Sequence, residues 1–103
     1  MIIRAKDKQT IENIANDTFS TPCQIIAYGS RVDGSAHDAS DLDIVIRAKS
    51  GYVVDSREFM DFKNKVQDSN IPIIVQILNW QNIPEDFKSN ILKNHCVLIN
   101  IQT

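Results

Sequence analysis

The feature that most constrains this chain is the stretch from Ile25 to Ile46, in which two apolar runs flank a polar loop. The first run ends at Gly29-Ser30, and the second opens with Ser40-Asp41-Leu42-Asp43. Short apolar runs bounded by turn residues are typical of buried strands. The stretch therefore predicts two strands, over 23–28 and 41–47, joined by a polar loop at residues 29–40 that includes Gly34.

Two carboxylates stand at positions i and i+2 of the second predicted strand. Side chains with this spacing lie on the same face, so Asp41 and Asp43 are expected to point the same way. The Gly29-Ser30 turn, at the end of the preceding strand, can bring backbone N–H groups close to an anion. Asp is depleted in strands, which favours a function over the alternative of two solvent-facing strand residues. The pattern indicates a site for a metal-bound polyphosphate.

The length of 103 residues predicts one domain, 1–103, with a modest core. A chain of this size buries roughly two-thirds of its unfolded surface. Its net charge of −2 and scattered basic residues argue against a non-specific grip on nucleic acid. The apolar segment at the N-terminus is too short for a signal peptide or a membrane span, which predicts a cytoplasmic protein. Cys23 and Cys96 are expected to be reduced core thiols.

The remaining elements follow from periodicity and turn residues. We expect a first helix, capped by Asp7 or Thr10 and ending near Phe19. A second helix should run from a cap at Asp55 or Ser56 to about Asp68. The other predictions are a third strand over 71–78 with Pro72 at an edge or entry position, a last helix capped by Asn82, and a final apolar run over 96–101.

The order α-β-β-α-β-α with a short tail predicts an α/β (α+β) domain, a small mixed sheet with helices packed on it. The loop between the first two strands fits either a hairpin or a small crossover. The tail fits either a short strand or the end of the last helix.

Gly29-Ser30-Arg31, Gly34 and Ser40-Asp41-Leu42-Asp43 together resemble the signature of the DNA polymerase β-like nucleotidyltransferase superfamily. The closest resemblance is to the small minimal nucleotidyltransferases (MNT) of bacteria and archaea. The later segment, from Ile74 to Trp80 and from Pro84 to Phe87, also resembles the C-terminal half of these proteins. The resemblance implies a polymerase β-like fold over nearly the whole chain.

The resemblance also implies roles for individual residues. Asp41 and Asp43 would be the catalytic residues and the ligands of Mg²⁺, or of Mn²⁺. Gly29, Ser30, Arg31 and Ser40 would bind the nucleotide, ATP or another NTP. Family members usually carry a third acidic residue where this chain has Gln76, an amide that cannot act as a carboxylate base. A further basic residue is common in the loop at the position of Asp33.

The implied function is Mg²⁺-dependent transfer of AMP to a hydroxyl group of a HEPN-domain partner, with this chain as the antitoxin of a toxin–antitoxin pair. The alternative is a catalytically weakened binding module that neutralises or scaffolds its partner by contact, which Gln76 favours. A polymerase-like activity on nucleic acid agrees least with the acidic balance of the chain. The sequence leaves open whether the chain forms homo-oligomers or hetero-oligomers.

Overall fold

The computed structural model describes residues 2–37 and 39–102. Within them the chain forms four α-helices and four strands. In chain order these are α1 (Ala5–Thr18), β1 (Cys23–Tyr28), α2 (Ser30–Asp33), β2 (Leu42–Ala48), α3 (Ser56–Gln67), β3 (Val75–Asn79), α4 (Glu85–Lys93) and β4 (His95–Ile101). A short 3₁₀ turn, Trp80–Asn82, follows β3 directly. No helix in the described part of the chain is both long enough and apolar enough to cross a membrane.

The four strands form one mixed sheet in the order β3-β2-β1-β4. Strand β1 pairs antiparallel with both β2 and β4, whereas β2 and β3 are parallel. The loop after β1 therefore closes a long hairpin rather than a crossover. The predicted α+β architecture is confirmed, and the last apolar run is a strand that pairs with β1.

The main core lies between one face of the sheet and helices α1 and α3. The side chains of Leu42, Ile44 and Ile46 project to this face, opposite to Asp43 and Val45 as the alternation predicts. Phe62 of α3 is fully buried there, and its ring packs against Phe19 with centroids 5.0 Å apart. Burial on both faces makes β1 and β2 the rigid centre of the sheet.

A smaller cluster covers the other face of the sheet, where Ile26, Val45 and Ile91 are buried together. Ile91 belongs to α4, so this helix packs on the face that also carries Asp43. Helix α4 covers only part of this face and leaves the end that carries Asp43 uncovered. This uncovered end forms one wall of the candidate site.

Several predicted boundaries are wrong, each for a local physical reason. Helix α1 begins at Ala5 with Arg4 as its cap, and Asp7 instead lies inside its first turn, where it accepts hydrogen bonds from Arg4. Strand β2 begins at Leu42, one residue after Asp41, and extends to Ala48. Strand β3 begins only at Val75, because pairing with β2 starts at Leu42 opposite Val75.

The predicted cap of α3 is confirmed, whereas the predicted cap of α4 is wrong. Asp55 caps α3, accepting from the N–H groups of Arg57 and Glu58 at 2.8 and 3.2 Å. Pro84, not Asn82, precedes α4 as its cap, since Asn82 is taken into the 3₁₀ turn. Strand β3 is an edge strand, in agreement with the position of Pro72 near its start.

Candidate active site

The carboxylate of Asp43 lies at the centre of the candidate site. Asp43 is opposite Tyr28 in the β1–β2 pairing and opposite Gln76 in the β2–β3 pairing. Its strand is therefore flanked on one side by the Gly29 turn and on the other by the position at which relatives carry a third acid. The register brings together three regions that are far apart in sequence.

The backbone of Gly29 lies close to this carboxylate. It has φ +80° and ψ −154°, a conformation essentially reserved for glycine. A Cβ atom at this position would lie 2.6 Å from Oδ2 of Asp43, so the carboxylate would have to shift to accommodate it. The glycine is required both by the turn and by the position of Asp43.

Asp41 lies one residue ahead of β2, close enough for its charge to affect Asp43. Burial, and then the negative charge of Asp41, raise the pKa of the Asp43 carboxyl above its ordinary value of 3.8. Among the described residues, neither carboxylate forms an ion pair with a Lys, Arg or His side chain. The two carboxylates thus form a locally uncompensated negative site, which is the electrostatic setting that a divalent cation relieves.

Oxygen ligands at such a pair fit Mg²⁺, which is commonly held by one or two carboxylates together with substrate phosphates. In the described part of the chain, no group of three or more His, Cys, Asp or Glu side chains could hold a metal ion. Beside Asp43, at the position where the resemblance predicts a third acid, β3 carries the exposed amide Gln76. The donor set fits a cation that is completed by the nucleotide rather than a closed protein site.

The side chain of Arg31 holds the loop through hydrogen bonds to backbone carbonyl groups. Its Nε donates to the carbonyl oxygen of Ser40 at 2.9 Å, and its Nη1 donates to the carbonyl oxygen of Ile2 at 3.0 Å. These contacts tie the start of β2 to the N-terminal segment. The structure thus shows a positioning contact for Arg31, and its predicted contact with phosphate stays a prediction.

Ser40 and Ser30 occupy the two ends of the loop. The Ser40 hydroxyl accepts from the N–H of His37 at 3.0 Å, which fixes the turn ahead of Asp41. Ser30 is the first residue of α2, and Gly29 is the cap of this helix. The carbonyl oxygen of Gly29 accepts hydrogen bonds from the N–H groups of Val32 and Asp33. The first N–H groups of a helix have no acceptor within it, so the start of α2 presents donors beside Asp43. The predicted nucleotide contacts of both serines stay predictions.

Two further polar side chains near the site, Asp33 in the loop and Asn79 at the end of β3, accept local hydrogen bonds. The Asp33 carboxylate accepts from the Oγ and N–H of Ser35 at 2.6 and 2.9 Å, and these hydrogen bonds lower its pKa. Buried Asn79 accepts from the N–H of Gln81 at 3.3 Å and so caps the 3₁₀ turn. Both side chains have local structural partners.

A cavity of about 310 Å³ adjoins Gly29. Its walls come from the end of β1, from α2 and from α4, and its lining residues are Tyr28, Gly29, Asp33, Phe87, Asn90, Ile91 and Asn94. Burial and the charge of Asp43 raise the pKa of the Tyr28 hydroxyl to about 12, which keeps it protonated.

Sequence reasoning missed the contribution of α4 to this cavity. The one available signal was the i, i+3 spacing of Phe87 and Asn90, which places an aromatic ring and an amide on one side of the helix.

Comparison with known proteins agrees with this geometry. The family described as "Polymerase beta, Nucleotidyltransferase" matches residues 9–103. A protein of Haemophilus influenzae named "Probable protein adenylyltransferase MntA" is 35% identical over 72 residues, which cover 70% of this chain. The matched region spans 61% of the length of that relative.

Two solved structures share the fold. One is described as a toxin–antitoxin crystal structure with AMP-PNP; it has a TM-score of 0.71 and 19% identity, covering 92% of this chain and 74% of that one. The other is a putative nucleotidyltransferase from Sulfolobus solfataricus, with a TM-score of 0.52 and 22% identity over 87% of this chain and 73% of that one. The match of the family over nearly all of the sequence, together with this fold, shows that the chain belongs to the polymerase beta nucleotidyltransferase family, as a minimal nucleotidyltransferase.

Proposed function

We propose that this chain is a Mg²⁺-dependent nucleotidyltransferase that transfers AMP from ATP to a hydroxyl group of a partner protein. The observation that carries the proposal is the pair Asp41 and Asp43. Asp43 lies against Gly29, and among the described residues neither carboxylate forms an ion pair with a basic side chain. Membership of the family supports nucleotidyl transfer. The name of the Haemophilus influenzae relative supports AMP as the group transferred and a protein as the acceptor.

The reaction makes one bond and breaks one. The acceptor oxygen bonds to the α-phosphorus of ATP, the bond from that phosphorus to the bridging oxygen breaks, and pyrophosphate leaves. A bound Mg²⁺ would neutralise the negative charge of the transition state and orient the attacking and leaving oxygens. Asp41 and Asp43 would hold the cation, and the donors at the start of α2 would bind the phosphates.

The acceptor hydroxyl approaches from the β3 side in this proposal. Gln76 lies there beside Asp43, and its amide can accept a hydrogen bond from the hydroxyl and so orient it. The amide cannot take the proton, so the proton leaves to water or to a phosphate oxygen. We therefore propose slow, orientation-driven transfer at neutral pH.

The partner is proposed to be a HEPN-type protein, with this chain acting as the antitoxin that modifies it. The resemblance to minimal nucleotidyltransferases suggests the HEPN-type partner, and the fold neighbour described as a toxin–antitoxin structure with AMP-PNP supports the coarser proposal of a toxin–antitoxin pair.

Labelled ATP tests the proposal directly. The purified chain and its partner are incubated with Mg²⁺ and α-labelled ATP, and label on the partner is measured. We expect transfer by the unmodified chain, and loss of transfer by Asp41→Asn combined with Asp43→Asn. Asp61→Asn, on the exposed side of α3, is the matched control and should transfer normally.

A second candidate function is neutralisation of the partner by contact alone, which Gln76 favours. Inhibition of the partner that survives the Asp41→Asn, Asp43→Asn double substitution, with no label transferred by the unmodified chain, would establish contact as the mechanism. Inhibition that requires both ATP and the two carboxylates would rule it out.

A further inference from the structure

The cavity beside Gly29 has a chemical character different from that of the carboxylate pair. Among the described residues that line it there is no Lys, Arg or His. One of them, Asp33, carries a carboxylate whose pKa is lowered by hydrogen bonds from Ser35. A charged carboxylate repels a polyphosphate. The occupant that fits is therefore uncharged where it meets Asp33, and it can donate a hydroxyl hydrogen bond to that carboxylate.

The apolar part of the cavity suits a flat aromatic ligand. Tyr28 and Phe87 meet edge to face, with ring centroids 5.9 Å apart, and Ile91 closes the floor with only 2% of its surface exposed. The Phe87 side chain is 39% exposed, so part of its surface is open to a ligand. Stacking on such a ring is sequence-tolerant and contributes substantially for any nucleobase.

Two amides provide the polar contacts that distinguish one base from another. Asn90 belongs to α4 and Asn94 is the first residue after this helix ends, and both line the cavity. An amide pairs a donor with an acceptor, which matches the N6 and N7 edge of adenine. Guanine presents two acceptors, O6 and N7, on the same edge and leaves the amide oxygen unpaired.

The sheet order fixes which end of a nucleotide reaches the cavity. Gln76 lies on the β3 side of Asp43, from which the proposed function brings the acceptor, and Tyr28 lies on the β1 side. A nucleotide with its phosphates at Asp41 and Asp43 therefore extends toward β1 and α4. At about 310 Å³ the cavity lies at the small end of ligand pockets, as suits a nucleoside.

We propose that this cavity binds the nucleoside half of the nucleotide, with Asn90 and Asn94 selecting adenine and Asp33 accepting from a ribose hydroxyl. The proposal rests on the proposed function in taking a nucleotide as the substrate. It assigns to α4 the choice of base, a role that the carboxylates and the glycine-containing loop do not fill.

Nucleosides without phosphate test the cavity separately from the metal site. Adenosine and guanosine are titrated by NMR, without Mg²⁺, into the ¹⁵N-labelled chain and into Asn90→Ala, Asn94→Ala and Phe87→Ala. We expect adenosine to shift the resonances of Tyr28, Asn90 and Asn94, and each substitution to weaken its binding about tenfold. Guanosine should bind more weakly than adenosine to the unmodified chain.

Asn64→Ala, an exposed asparagine of α3 on the other side of the sheet, is the matched control and should bind adenosine normally. Absence of adenosine shifts at the cavity, or equal binding by the asparagine variants, would overturn the proposal. If Mg²⁺-ATP binding were nevertheless lost on changing Asp41 and Asp43, the proposed function would stand. Adenosine binding in the cavity, without any transfer to the partner, would support the cavity and contradict the proposed function.

Discussion

Gln76 lies directly beside Asp43 in the parallel pairing of β2 with β3, and both side chains belong to the face of the sheet that α4 partly covers. The amide is exposed, so its replacement disturbs little packing. This position is therefore a place where the chemistry of the site can be changed with the fold held constant.

Gln76→Asp is expected to increase the rate of transfer, because it adds a carboxylate that can take the proton of the acceptor hydroxyl. General-base catalysis contributes about 10²- to 10⁴-fold in other enzymes, and we expect the lower part of that range. The measurement is the initial rate of label transfer at saturating ATP and Mg²⁺. Gln81→Glu, in the exposed 3₁₀ turn, controls for added negative charge, and an equal gain there would contradict the expectation.

The pattern of residues between Ile25 and Ile46 was sufficient to predict the two central strands and the side of the sheet that carries Asp43. Strict alternation in a buried strand leaves one arrangement that buries Leu42, Ile44 and Ile46 together. The neighbours of Asp43 also follow from sequence once the family is recognised, because Gln76 lies at a motif position.

The nature of the last apolar run depends on contacts that the local sequence does not contain. Residues 96–101 form a strand because they pair with β1, about seventy positions earlier in the chain. Asp7 has good capping chemistry, yet a bidentate contact with Arg4 draws it into the helix. The cavity needs α4 to cross β1 at one particular angle, and periodicity carries no information on that angle.

Gly29→Ala should destabilise the fold and displace Asp43. The backbone conformation costs an L-residue about 1–3 kcal/mol, and the new Cβ would overlap Oδ2 of Asp43. Chemical denaturation should show the loss of stability, and Mg²⁺-ATP binding should be lost as well.

Gly51→Ala separates the two effects of that substitution. Gly51 also has a positive φ, +88°, but a Cβ atom added there would meet nothing within 4 Å beyond its own chain neighbours. We expect this variant to lose stability while retaining nucleotide binding. Loss of binding in both variants to the same degree would indicate that strain alone is responsible.

The raised pKa of Asp43 predicts opposite effects of Asp43→Asn on stability and on metal binding. The folded state holds this proton more tightly than the unfolded chain, so ionisation of Asp43 destabilises the fold as pH rises above 3.8 through the raised value. Asp43→Asn should therefore raise the melting temperature at pH 7 without metal. Below pH 3.8, where both states are protonated, the difference should disappear.

We expect Mg²⁺ to reverse the order at neutral pH, because the proposed binding of the ion to the charged carboxylates would stabilise only the unmodified chain. Metal affinity should fall as pH decreases through the raised pKa of Asp43. Melting curves with and without Mg²⁺, from pH 3 to pH 8, measure both effects. An Asp43→Asn variant that melts lower than the unmodified chain without metal would contradict the assignment.

Arg31→Ala tests whether this guanidinium positions the loop or binds phosphate. Hydrogen bonds from Arg31 to the carbonyl oxygens of Ser40 and Ile2 hold the start of β2, and hydrogen bonds from charged groups contribute about 1.5–3 kcal/mol. We expect a loss of stability in that range. Arg31→Lys should not restore it, because an ammonium group cannot reach both carbonyls with the planar geometry of a guanidinium. Arg57→Ala, exposed at the start of α3, is the control.

Unchanged stability of Arg31→Ala with weaker ATP binding would instead assign Arg31 to the phosphates. Denaturation and calorimetry on the same samples separate the two outcomes.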